Sequence, residues 1–523
     1  MQLTKGEYLL QALDELETGS IFIWIVFSLN TATSLLNGLN SLSYVFIAEI
    51  PEYWCDIPEL SEANWTIDQI KSISINNECQ QYDYNYTHLV DLGYDKSVQY
   101  VNNLILMPNI IFCSSHMFNE SGRSTIVNEW QLVCDKQLYR ANTFLVYVFG
   151  KVLGNGILGI YADQYGRKKF LIIGVLLYII VGPLSAFVPW FWAYVILKFL
   201  TGISIGAMYS TAYTLLSEAV KNQKRKILFA VVDSMYSVGI FCLISMAYFL
   251  PNWRHLQLTM ACSSLPIIIV IFFLSESPRW LISQNRLDEA QQIIEKYHKS
   301  FMIPTHIEGN PTNERTLSSS DSPATLNESK GFFYRNFKSV KFLFTHSDLR
   351  KKILIMYLTN YVTAVVSYSL VFSIDNFKSN RYIYMSIVSV NEILAHMSIS
   401  VVLMFLSCQK SIVITYTAGF ILMMTILAVP EESKSIIMGL ALVAKFFLSA
   451  SFTINVIFIS ELFPSNVRNT AMGMNFVMGQ FGSMTAPYIV DLLGYVAWWA
   501  PTTLCGSLTL VAGFFCLMIP QEI

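Results

Sequence analysis

The sequence predicts an all-α integral membrane protein, with twelve transmembrane helices arranged in two pseudo-symmetric six-helix halves. Three observations carry that expectation. The chain of 523 residues is 54% hydrophobic and only 13% charged, outside the balance of a soluble domain. Its apolar residues gather into twelve stretches of bilayer-spanning length. Finally, Ser217-Glu218 with Arg225 recurs as Ser460-Glu461 with Arg468, an offset of 243 residues for each position, which points to an internal repeat. The formal net charge of −2, with Lys and Arg confined to particular loops, gives no sign of a nucleic-acid partner.

Residues 1–19 carry Glu7, Asp14, Glu15 and Glu17 against Lys5, the wrong charge for the start of a signal peptide, and are read as a cytoplasmic N-terminus. Ser20 to Ile47 spans a bilayer and is too long for a cleaved apolar region. It opens the N-terminal half, residues 20–274. Within it Asn30, Thr33 or Ser34, Asn37, and Asn40 or Ser41 recur every three to four residues, a polar stripe suited to a water-filled cavity or to hydrogen bonds with adjacent helices.

Residues 48–141 break the apolar rhythm and hold four of the nine cysteines, Cys55, Cys79, Cys113 and Cys134. They also hold Asn-x-Ser/Thr sites at Asn64, Asn85 and Asn119. Clustered cysteines and sequons predict an extracellular, glycosylated loop with two disulfides, and four cysteines leave three pairings open.

The second span, about Thr143 to Ala162, contains Gly154-Asn155-Gly156-Ile157-Leu158-Gly159. These letters match a dinucleotide fingerprint, but they lie inside an apolar helix, where small residues serve close helix packing; Gly202 and Gly206 read the same way. A charged turn follows, Gly159 to Lys169. Gly159 and Asp163 share a helix face, Gly166 frees the turn, and Arg167, Lys168 and Lys169 complete it. Further spans fall at 170–188, 191–216, 228–249 and 256–274. Cations follow the second and fourth spans, while the turn between the third and fourth has none, so even-numbered spans exit into the cytoplasm.

Residues 275–352 form a basic, cytoplasmic connection between the halves. Leu287, Ala290, Ile293, Ile294 and Tyr297 predict an amphipathic helix over 286–297, and the Ser/Thr/Asn/Pro-rich stretch 310–329 predicts a linker. The C-terminal half, 353–518, holds spans at 353–373, 383–406, 412–429, 436–459, 472–493 and 498–518, leaving 519–523 as a short cytoplasmic C-terminus.

The pattern Gly159-x-x-x-Asp163-x-x-Gly166-Arg167-Lys168 resembles the loop after the second helix of major facilitator superfamily transporters. Pro51 to Cys55 and Glu129 to Asp135 look like loop ends of one branch, the organic cation, carnitine and organic anion transporters (solute carrier family 22 type). Ser275 to Leu281 and Glu461 to Arg468 resemble further motifs of that family, with Ser275 where Pro is usual. This resemblance covers nearly the whole chain. It implies a plasma-membrane, multi-pass protein of the major facilitator fold, whose halves rock about a substrate held between them. It also implies that Gly159, Asp163, Gly166, Arg167, Glu218, Arg225, Glu461 and Arg468 latch the halves together on the cytoplasmic side. The second copy of the charged turn is degenerate: the 243-residue offset places Leu406, Gln409 and Lys410 where Asp163, Gly166 and Arg167 stand.

Charges inside spans mark functional-site candidates. Those singled out are Lys198, Asp233, Glu392 and Lys445, with His396 one turn from Glu392 and able to share its proton. Lys198 and Lys445 read first as structural pairings. The position that this family uses to select substrate charge, nineteen residues after the Glu of the Glu461 motif, is Gln480, neither acid nor Arg. Asp233 and Glu392, with Asn37 and the rings of Tyr209, Tyr236, Tyr361 and Tyr368, suit an organic cation or a zwitterion.

The sequence therefore reads as a secondary transporter of small organic ions, leaning to organic cations or carnitine-like zwitterions. The alternatives are an organic anion transporter and a transporter-fold receptor without flux. The spans have no His-Glu-x-x-His, no paired His cluster, no nucleophile motif and no Gly-x-x-x-x-Gly-Lys loop, so neither an enzyme nor direct drive by ATP is expected. No cofactor or metal is called for; the expected partners are the organic ion and the lipid bilayer, with any coupling ion open.

Overall fold

The computed structural model describes residues 20–104, 108–119, 122–158, 161–162, 165–220, 222–297, 343–374, 380–403, 405–430, 432–463 and 465–519, with scattered positions before residue 20. Gly159, Asp163 and the linker 310–329 lie outside the described residues, as do the side chains of Arg225 and Arg468.

Twelve long helices follow one another: α1 Ile21–Ser41, α2 Gln137–Leu153, α3 Arg167–Phe187, α4 Phe191–Ala219, α5 Asn222–Phe249 and α6, which runs Trp253–Cys262 and resumes at Leu265–Phe273. The second set is α7 Ser347–Phe372, α8 Arg381–Val402, α9 Cys408–Leu427, α10 Lys434–Leu462, α11 Ser465–Val496 and α12 Ala500–Leu517. Among the described residues, nine of these are long and apolar enough to cross a membrane on composition alone. The others, α2, α8 and α11, are set by packing, against α4, α10 and α7 respectively. Several helices run past the predicted spans, α2 from Gln137 and α11 to Val496, because an apolar stretch marks only the part of a helix that needs lipid or core around it.

Close packing explains the glycines. A Cβ on Gly150 or Gly154 of α2 would collide with the carbonyls of Phe199 or Ile203 on α4, and one on Gly202 or Gly206 of α4 would collide with those of Tyr147 or Lys151 on α2. The fingerprint-like run is therefore a helix crossing, with a π-helical turn at Gly154–Leu158.

Between α1 and α2 the chain builds a small satellite domain. Strand β1 (Tyr53–Cys55) pairs antiparallel with β5 (His116–Phe118), while β2 (Ile75–Asn77), β3 (Gln80–Tyr82) and β4 (Ile110–Phe112) form a second sheet in that order. Ile57, Leu60, Ile70, Ile73, Tyr86 and Leu89 give this loop a core of its own. Disulfides join Cys55 to Cys113 and Cys79 to Cys134, selecting first-to-third and second-to-fourth from the three pairings. Asn64 and Asn85 are exposed, whereas Asn119 is half-buried and its amide donates to Glu52 at 3.5 Å. The Glu129 motif seats the loop on α6: Trp253 Nε1 donates to Glu129 at 2.8 Å, Arg254 Nε donates to the same oxygen at 3.2 Å, and Trp130 stacks near Trp253 and Tyr194.

Candidate functional site

The two halves meet at their centre through α5 and α8. Asp233, Tyr236 and Ser237 stand at i, i+3 and i+4 on α5 and so share one face. Ser237 Oγ donates to Glu392 on α8 at 3.2 Å, and the hydroxyls of Tyr236 and Tyr368 lie 3.5 Å apart. The other Glu392 oxygen is 2.9 Å from Lys445 Nζ on α10, both side chains being less than 10% exposed (8% and 6%). A buried charge is tolerable only when paired and hydrogen-bonded, and this pair meets that condition.

That arrangement corrects two expectations. Glu392 does not look to His396 for its partner: His396 Nδ1 is bonded to Thr453 Oγ1 at 2.7 Å, because Lys445 from the facing helix reaches the carboxylate instead. Glu392 and Lys445 thereby neutralise each other, leaving neither as an unmatched charge.

The N-terminal half supplies the charges that remain. Asp233 is half-buried, and its carboxylate has no hydrogen bond or ion pair among the described residues; Tyr209 lies close by, its ring 5.9 Å from Tyr213. On α2, Lys151 is 6% exposed, and its ammonium donates to Asn37 Oδ1 at 3.0 Å and Ser41 Oγ at 3.2 Å, both neutral. The polar stripe of α1 is thus divided. Asn30, Ser34 and Asn40 bond to neighbouring helices, through Ala212, Val232 and Tyr178, while Asn37 and Ser41 serve the lysine. Lys198 donates to the side-chain oxygen of Gln257 at 2.8 Å. On the opposite wall Tyr361 is 3.2 Å from Thr485, and Gln480 is half-buried with no side-chain hydrogen bond among the described residues.

Toward the end that carries the loop domain, the halves are closed on each other. Arg140 on α2 lies 3.4 Å from Asp491 on α11, and Tyr488 donates to Asn142 beside them. Glu49, just after α1, lies 3.4 Å from Arg381 at the start of α8 and 3.8 Å from Arg123 of the loop. Rings fill the space between, with Tyr44 and Phe144 each 5.1 Å from Phe372, and Phe46 5.7 Å from Tyr382.

At the basic end, contacts among the described residues join α3, α4 and the segment after α6. Arg167 donates to Glu218 at 2.7 Å, and its guanidinium lies over Trp280. Glu276 accepts from the backbone N–H groups of Arg167 and Lys168 at 3.0 and 3.2 Å, a carboxylate on the exposed donors of a helix N-terminus. Ser277 donates to Glu218 as well. Gly166 makes this possible, with φ of +113° and a hypothetical Cβ only 2.6 Å from Glu276 Oε2. These contacts of Arg167 and Glu218 brace α3, α4 and the segment after α6. Glu461 is exposed at the end of α10.

Sequence reasoning missed Lys151, Arg140, Asp491, Glu49 and Arg381. Lys151 and Asp491 lie within predicted spans, and counting every charge inside them would have found both.

Residues 78–521 match the family described as "Sugar (and other) transporter". The "Organic cation transporter protein" of Drosophila melanogaster is 26% identical over 502 residues, covering 94% of this chain and 88% of its own. "Organic anion transporter 3" of Sus scrofa is 28% identical over 409 residues, covering 78% and 73%. Among solved structures, the xylose transporter XylE of E. coli superposes with a TM-score of 0.60 at 15% identity, covering 96% of this chain and 99% of that one. These likenesses are to transporters rather than enzymes, and with the membrane spans they make the protein a multi-pass transporter of the plasma membrane. With 444 of its residues inside the matched range 78–521 and the twelve-helix fold in place, the chain belongs to the sugar (and other) transporter family of the major facilitator superfamily.

Proposed function

We propose that this protein carries small organic cations or zwitterions across the plasma membrane by alternating access. The observation that supports this most is Asp233: a carboxylate with no partner among the described residues, on the face of α5 that carries Tyr236 and Ser237 toward the other half, with Tyr209 close by. A carboxylate in so poorly solvated a place gains most from a cation, and the rings add cation–π attraction. The disulfides belong to an oxidising exterior, so the loop end is the outer face, where Arg140 and Asp491 join the halves. The relatives named for cations and for anions frame the same choice of substrate sign.

A second reading, an organic anion transporter, draws on Lys151, a buried ammonium whose partners among the described residues, Asn37 and Ser41, are neutral. In it Lys445 has no part, being matched by Glu392. Uptake of radiolabelled cations, zwitterions and anions into oocytes carrying the protein at their surface separates these readings. Saturable uptake of cations or zwitterions supports the first; uptake of anions alone supports the second; surface protein without flux supports a receptor.

A further inference from the structure

We infer that the outer end of the N-terminal half holds a site for one small inorganic anion of about the size of chloride, built around Lys198 and separate from the space between the halves. The inference goes beyond the transport reading and does not depend on which organic ion is carried.

A cavity of about 20 Å³ lies where α1, α2 and α4 meet under the loop domain. All eleven residues that line it belong to the N-terminal half, among them Asn40 on α1, Ala48 just beyond it, Ile126 of the loop, Thr143 on α2, and Tyr194 and Lys198 on α4. Lys198 alone of the eleven carries a charge. A water needs about 10–15 Å³ of such space, so this cavity takes one body of water's size or a little more. It admits a monatomic ion and excludes an organic ion of several heavy atoms, which sets it apart from any transport path.

The chemistry of the wall selects an anion over a water molecule. Lys198 is 7% exposed, and of the three donors on its ammonium one goes to Gln257 Oε1 at 2.8 Å, while the nitrogen stands 5.4 Å from the centre of the Tyr194 ring. Both partners are neutral. No carboxylate pairs with the lysine among the described residues: Glu129, the acid that acts on Tyr194, is taken by Trp253 and Arg254. Gln257 is fully buried, and with its oxygen turned to the lysine its Nε2 has no hydrogen bond among the described residues. An ammonium with free donors and a donor amide therefore stand side by side at one small cavity. A buried charge is costly unless it is matched as well as hydrogen-bonded. Water would accept from these donors and leave the charge standing; one small anion answers both.

The test is thermal unfolding of the purified full chain at constant ionic strength, with sodium gluconate replaced stepwise by sodium chloride or sodium bromide. Gluconate is too large for the cavity, so the wild type should show a saturable rise in Tm of about 2 °C or more with either halide. Lys198→Met should lose that rise. Ala48→Val, which fills the cavity and keeps the lysine, should lose it too, and it carries the test if Lys198→Met does not fold. Lys151→Met, which removes instead the buried ammonium held by Asn37 and Ser41, should keep the rise. The readout is the halide-dependent increment and not the Tm itself, so a merely structural role of Lys198 would leave it in place. No increment in the wild type, an increment that survives in Lys198→Met or Ala48→Val, or one lost only with Lys151 overturns the inference, and each of these leaves the transport reading standing.

Discussion

The Arg140 guanidinium and the Asp491 carboxylate meet at 3.4 Å between α2 and α11, with 3% and 8% of their side chains exposed, and so join the two halves of the protein. Neither charge is comfortable there alone. Breaking a buried pair by removing one partner costs about 3–5 kcal/mol, so Asp491→Asn is expected to shift the protein away from the state closed at its loop end. Accessibility of Phe372→Cys, set among the rings of that closure, to an impermeant thiol reagent should then rise, and the swap Arg140→Asp with Asp491→Arg should bring it back down. Unchanged accessibility in Asp491→Asn would show that the pair does not hold the halves.

The Glu392–Lys445 pair lies within the C-terminal half and leads to a different expectation. Lys445→Met strands a buried carboxylate, at a cost of about 3–5 kcal/mol, and should reduce folded protein at the surface severely. Adding Glu392→Gln should recover much of it, since an apolar and amide pair carries no stranded charge. Measured thermal unfolding of the purified variants decides the matter, and additive losses in the double variant would refute the coupling.

Much of this was legible beforehand, and the missing parts share a physical cause. Twelve apolar stretches announce twelve helices because lipid tolerates no unpaired backbone, and Gly154 and Gly202 read as packing residues because small side chains let helix backbones approach closely in a membrane. Which charge meets which depends on distances between helices far apart in sequence. Glu392 has His396 one turn away, yet its partner is Lys445, 53 residues on. Arg167 likewise binds Glu218, 51 residues on, and lies over Trp280 of the segment after α6. The loop strands, each three residues long, are too short for any alternation to register.

Gly166 offers a test of the brace at the basic end. With φ of +113° and Glu276 Oε2 2.6 Å from where a Cβ would sit, Gly166→Ala must strain the turn or displace the carboxylate that caps α3. A loss of about 1–2 kcal/mol is expected from the backbone alone, visible as a lower Tm of the purified protein. A Tm equal to wild type would mean that the turn relaxes freely.

The loop disulfides give a prediction that needs no transport assay. Non-reducing peptide mapping should recover Cys55 joined to Cys113 and Cys79 joined to Cys134, with glycan on the exposed Asn64 and Asn85. Cys79→Ser removes a bridge worth about 2–5 kcal/mol to a small domain and should deplete surface protein. Recovery of Cys55 joined to Cys79, or of four free thiols, would contradict the loop as described.

The central claim is that the space between the halves selects organic ions by charge, and Gln480 is the neutral position from which to test it. Uptake of a radiolabelled organic cation should rise in Gln480→Asp and fall in Gln480→Arg, each by an amount corresponding to about 1–3 kcal/mol for one unit charge in a poorly solvated cavity. Equal uptake in all three proteins at matched surface levels, or anion uptake by the wild type that Gln480→Arg enhances, would contradict it.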